Sequence, residues 1–164
     1  MRLVSMLVTA LVLVSAGAAA ANCKDRNGDF TSVLVPPPVC TSPVGICTLG
    51  TLTGEFPSTY AFTMDTLDPA FDPADPTRFV FTGHSVITDA HGGTLFGSDS
   101  GFIFIDLPAP GPFVTTVEIV GGTRGYRKAS GEFVASGVLD FISGNAVGTY
   151  TSTICKGSGH DDGD

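Results

Sequence analysis

The chain has 164 residues, 43% of them apolar and 15% charged, with 21 Gly, 11 Pro, four Cys and no Trp. Beyond a leader ending at Ala21, Thr, Val, Ile, Phe and Tyr number 52 against 26 for Ala, Leu, Met, Glu, Lys, Arg and Gln, which excludes a helical bundle, and the length excludes a two-domain enzyme. Sixteen acids against eight Lys and Arg, a formal charge of −8, argue against nucleic acid or an anionic membrane surface as partner.

Residues 1–21 read as a secretory signal peptide. Arg2 supplies the positive start, Leu3 to Val14 the apolar stretch, and Ala16 to Ala21 the small residues before a cut at Asn22. The apolar stretch is too short to span ~30 Å of hydrocarbon, so the mature chain is expected to be secreted or periplasmic, with no membrane contact after cleavage. Next, Asp25-Arg26-Asn27-Gly28-Asp29 has the spacing that starts many calcium loops. A full loop needs Gly at its sixth place and an acid at its twelfth, where Phe30 and Pro36 stand. The segment is therefore expected to be an Asx-type turn.

Short apolar-rich runs then alternate with turn clusters, the spacing of an all-β sandwich or barrel. Strands are predicted over Phe30–Val35, Ile46–Phe56, Thr59–Asp65, Arg78–Asp89, Thr94–Leu107, Phe113–Val120, Gly131–Ser143 and Ala146–Lys156. Pro36-Pro37-Pro38 cannot lie in a central strand. Asp65 to Thr77, with Asp68-Pro69, Asp72-Pro73 and Asp75-Pro76, is expected to be a loop, whose carboxylates form no recognised calcium cage. Ala90-His91-Gly92-Gly93 and Ser143-Gly144-Asn145 are hairpin turns, and short turns between neighbouring strands imply antiparallel pairing. The domain ends at residue 156. Residues 157–164 form an acidic tail in which His160, beside Asp161 and Asp162, is read as solvated.

The four cysteines allow three pairings. Cys40 and Cys47 close a short loop and Cys23 and Cys155 sit near the two ends, which favours Cys40–Cys47 and Cys23–Cys155 as disulfides in an exported protein. A metal site would need other spacing and nearby His. Gly97-Ser98-Asp99-Ser100-Gly101 is superficially like a hydrolase nucleophile motif, but Asp99 stands where the nucleophile elbow needs Ser.

Gly121 to Gly131 (GGTRGYRKASG) is the most specific stretch. It lacks the Gly-Lys-Ser/Thr ending of a phosphate-binding loop. With the hairpins that follow, it resembles the allene oxide cyclase and dirigent-like β-barrel superfamily. Gly121, Gly122, Thr123, Tyr126, Ala129 and Gly131 fit that pattern, and Arg124 departs from it where a fourth glycine is usual. Gly50-Thr51-Leu52-Thr53-Gly54 and Thr82 to Ile87 extend the resemblance upstream. It implies an eight-stranded antiparallel barrel, often trimeric, whose apolar cavity holds a small molecule and guides cyclisation or coupling without a cofactor.

Such chemistry needs polar side chains in an apolar lumen. Glu118 interrupts Phe113 to Val120 and by alternation shares a face with Val114, Thr116 and Val120. If that face points inward, Glu118 is a desolvated carboxylate able to move a proton; if outward, it is an ordinary strand carboxylate. Tyr60, Glu55 and His84 are further candidates. The competing expectation is a non-catalytic scaffold whose lumen is filled by Phe79, Phe81, Phe102, Phe104 and Phe133.

Overall fold

A computed structural model describes residues 22–70 and 74–157; the expected leader, His160 and Asp72-Pro73 lie outside the described residues. Eight strands run β1 (Asn22–Leu34), β2 (Cys47–Leu52), β3 (Ser58–Pro69), β4 (Arg78–Asp89), β5 (Thr94–Phe104), β6 (Gly111–Gly122), β7 (Ser130–Leu139) and β8 (Asn145–Lys156). Each pairs antiparallel with its sequence neighbour, and β8 returns to β1, so the sheet closes into a barrel. Closure leaves no free sheet edge.

Strict alternation sorts the walls. On β4, Phe81, Gly83, Ser85 and Ile87 are buried towards the lumen, while Val80, Thr82, His84 and Val86 face out. An aromatic cluster plugs one end: Phe56 meets Tyr126 at 6.4 Å and Phe133 at 6.0 Å, and Phe133 meets Tyr150 at 5.8 Å. Each such ring, taken out of water, contributes roughly 1.5–3 kcal/mol. The Tyr150 hydroxyl accepts from the Phe56 amide at 3.2 Å and donates to the Thr53 carbonyl at 2.9 Å, tying the β2–β3 turn to β8.

Several boundaries differ from the sequence reading. The expected Asx turn at Asp25–Asp29 is strand, because β1 begins at Asn22 and pairs with β8 from Asn22↔Lys156 to Val33↔Asn145. Barrel closure gives these polar residues a ladder that local propensity does not. Gly28 belongs to it by necessity, since a Cβ there would lie 1.9 Å from the Thr53 carbonyl oxygen. β3 continues through Asp65 to Pro69, where a loop is expected, resuming after a bulge between Met64 and Thr66. The cysteines form the expected pairs, Cys23–Cys155 and Cys40–Cys47. Phe102 and Phe104 do not fill the lumen; they stack edge to face with each other, and the Arg78 guanidinium lies 4.6 Å from the Phe102 ring.

Candidate functional site

The lumen is not packed solid. A cavity of about 110 Å³ lies between the aromatic plug and the opposite end, walled by rings and aliphatic chains such as Phe30, Phe62, Phe81, Ile103 and Val117. Into this apolar space the strands project a small polar set: Ser32 from β1, Thr48 from β2, Tyr60 from β3, Ser85 from β4, Asp99 from β5 and Thr115 from β6.

Asp99 dominates it. On β5 the inward face runs Leu95, Gly97, Asp99, Gly101, Ile103, so a carboxylate stands among apolar and small residues and is only 3% exposed. The Ser85 hydroxyl donates to its Oδ1 at 2.9 Å. Its Oδ2 is buried with no hydrogen-bond partner among the described residues. Burial outweighs the Ser85 hydrogen bond and the attraction of His84, pushing the Asp99 carboxyl up to about 7. A carboxyl poised there can both give and accept a proton near neutral pH.

Tyr60 shares the lumen, its ring edge-on to Phe30 at 6.4 Å. Its phenol is raised above the ordinary value chiefly by burial, with the hydroxyls of Ser32 and Thr48 opposing and the negative charge of Asp99 adding to the rise. A neutral phenol and a proton-exchanging carboxyl in one apolar chamber can orient a small polar group and exchange a proton with it, while the walls exclude water.

Of the four candidates read from sequence, only Tyr60 stands in this chamber. Glu118 keeps the predicted alternation but on the outer wall: Val117 and Ile119 are buried, Glu118 and Val120 exposed, and Glu118 lies across from Ser98 and Glu132. His84 is on the outer face of β4, with Nδ1 3.2 Å from Asp65 Oδ2. Glu55 is exposed in the β2–β3 turn, where its Oε2 accepts from the Asn27 amide at 2.9 Å and from Asn27 Nδ2 at 2.8 Å. These three are corrected from lumen candidates to outer-wall and turn residues. The carboxylate that does face inward is Asp99, which in the sequence stands out only as the residue that breaks a hydrolase-like motif. Its signal was the β5 alternation, which places it on the face of Leu95 and Ile103.

The chain is thus a closed eight-stranded antiparallel barrel enclosing a small apolar chamber with a buried carboxylate. In fold the chain is similar to two solved pterocarpan synthase dirigent proteins. One is 16% identical over 91% of this chain and 99% of that one, with a TM-score of 0.47; the other is 15% identical over 85% and 99%, with a TM-score of 0.48. No protein-family model matches the chain, and no curated protein does.

Proposed function

We propose that this is a secreted barrel that binds a small apolar molecule in its lumen and guides its cyclisation or coupling without a cofactor, with Asp99 exchanging the proton and Tyr60 orienting the ligand. The observation that carries the reading is the buried Asp99 carboxyl, whose Oδ2 has no partner among the described residues in an apolar chamber. Leaving a carboxyl oxygen so placed costs about 1–3 kcal/mol or more, a cost that a ligand hydroxyl would offset. The resemblance of Gly121–Gly131 to allene oxide cyclase and dirigent-like barrels supports the same reaction class. Two disulfides suit an oxidising compartment, in keeping with removal of residues 1–21 on export.

The proposed assembly is a homotrimer. Supporting a multimer, Val33, Leu49, Val86 and Phe96 are exposed on the outer wall, and the register Val33↔Leu49↔Ala61↔Val86↔Phe96 runs them in one row across five strands. Native mass spectrometry reads the subunit number directly.

Two probes of matched shape test the lumen, toluene and p-cresol, titrated into isotopically labelled protein and followed by NMR. p-Cresol is expected to shift Tyr60, Asp99 and Thr115 resonances and to bind more tightly than toluene, an advantage lost in Asp99→Leu. If neither probe perturbs lumen resonances, the barrel does not take up small molecules and the proposal fails.

A further inference from the structure

The cations of this acidic chain are unevenly placed. Beyond the leader it has seven Lys and Arg. Arg78 opens β4 at the end opposite the aromatic plug. The other six, Lys24, Arg26, Arg124, Arg127, Lys128 and Lys156, all belong to the plug end, because β1 starts there, β8 finishes there and the β6–β7 connection leads into β7 beside the end of β8. Among the described residues none of the six forms an ion pair; the ion pair present is His84–Asp65. Three nearby carboxylates hold hydrogen-bond donors of their own. Asp25 accepts from the Thr153 hydroxyl, Glu55 from Asn27, and Asp89 from the Tyr126 hydroxyl and the His91 and Gly93 amides.

Three of these cations meet at one pocket. A depression of about 120 Å³ is lined by Asn22, Lys24, Arg26 and Lys156 above a floor of Phe56, Tyr126 and Ile154. Lys24 and Arg26 alternate onto the same face of β1, and Asn22 lies directly across from Lys156, so Lys24 and Lys156 are diagonal neighbours. The floor rings hold two of the charges in place: Lys156 Nζ lies 4.4 Å from the centre of Tyr126 and the Arg26 guanidinium 5.5 Å from Phe56. Arg26 also donates to the Glu55 carbonyl at 2.6 Å. The adjoining loop is fixed too, since Arg124, the non-glycine residue held at φ 53, donates to the His91 carbonyl.

Three cations gathered at one pocket, with no ion pair to any of them among the described residues, repel one another in the free protein, and an arriving anion relieves that repulsion. Two ammoniums and a guanidinium around one pocket suit a group with more than one negative charge and oxygens on several sides, better than a single carboxylate. We propose that the plug end is an anion site for a phosphate or sulfate group, free or as the ester of a small organic molecule resting on the Phe56–Tyr126 floor. The site is separate from the lumen chamber and does not depend on any reaction there.

Isothermal titration calorimetry of the full chain at low salt, with inorganic phosphate, inorganic sulfate and phenyl phosphate as probes, tests this. At least one probe is expected to bind, and to weaken tenfold or more in Lys24→Gln/Lys156→Gln. These two side chains are exposed, so the fold should survive, which the far-UV spectrum checks. Arg26→Gln should weaken binding in the same direction, and Arg78→Gln, at the far end, should leave it unchanged. Tighter binding of phenyl phosphate than of inorganic phosphate identifies the ester as the ligand; equal binding identifies the free ion. No binding by any probe, binding unchanged in the double variant, or equal loss in Arg78→Gln would overturn the proposal.

Discussion

Replacing Asp99 by Asn removes a titrating group from the lumen while keeping its shape and an Oδ1 that can accept from Ser85. In the folded protein the carboxyl titrates at about 7 against 3.8 in an unfolded chain. Between those values the folded state binds a proton that the unfolded state does not, so this group makes stability fall as pH rises. Its contribution is flat below the unfolded value, declines through the window from about 4 to about 7, and is flat again above. At about 1.4 kcal/mol per unit, the three-unit window amounts to a loss of up to about 4 kcal/mol. Asp99→Asn should therefore be close to wild type in stability near pH 4 and more stable by a few kcal/mol near pH 8. Urea denaturation of both proteins at several pH values, disulfides intact, reads the difference directly, and other groups cancel. A stability difference that stays constant from pH 4 to pH 8 would refute the reasoning.

Three further outcomes follow from the packing. Ala135 lines the chamber, so Ala135→Leu should fill much of it and abolish p-cresol binding by NMR while the far-UV spectrum stays that of the barrel. Tyr150→Phe removes both the bond to the Thr53 carbonyl and the one from the Phe56 amide; thermal unfolding should show a loss of about 1–3 kcal/mol. The Cys23–Cys155 bridge spans 132 residues and Cys40–Cys47 spans seven. By loop-closure entropy, Cys23→Ser/Cys155→Ser should cost about 5 kcal/mol and Cys40→Ser/Cys47→Ser about 2, and an equal cost in urea denaturation would count against the staple.

Strand number, antiparallel order, hairpin turns and disulfide pairs were legible in the sequence because each has a local mark: period-two alternation, paired glycines, and cysteines at the chain ends. What was not legible depends on closure. Asp25–Asp29 has the composition of a turn, and only pairing with β8 makes it strand. The direction of each face was also hidden. On β6 the alternation was read correctly, yet Val114, Thr116, Glu118 and Val120 line one face and Val117 and Ile119 the other, so apolar residues occupy both and hydropathy could not say which faced the lumen. The bulge between Ile119 and Gly121 opposite Phe96–Gly97 adds a further break in phase. Asp99 was hidden differently. Its small neighbours resemble a hydrolase nucleophile motif, whereas Gly97 and Gly101 are small because a Cβ would strike Val117 Cγ1 at 2.2 Å and the Val114 carbonyl oxygen at 2.2 Å.

The account rests on a carboxyl that is both buried and within reach of a lumen ligand. The carbon-13 shift of the Asp99 side chain, followed against pH with and without p-cresol, measures both properties at one atom. A midpoint near 7 that moves when p-cresol binds is the result predicted. A midpoint near the ordinary 3.8 with no response to p-cresol would contradict it.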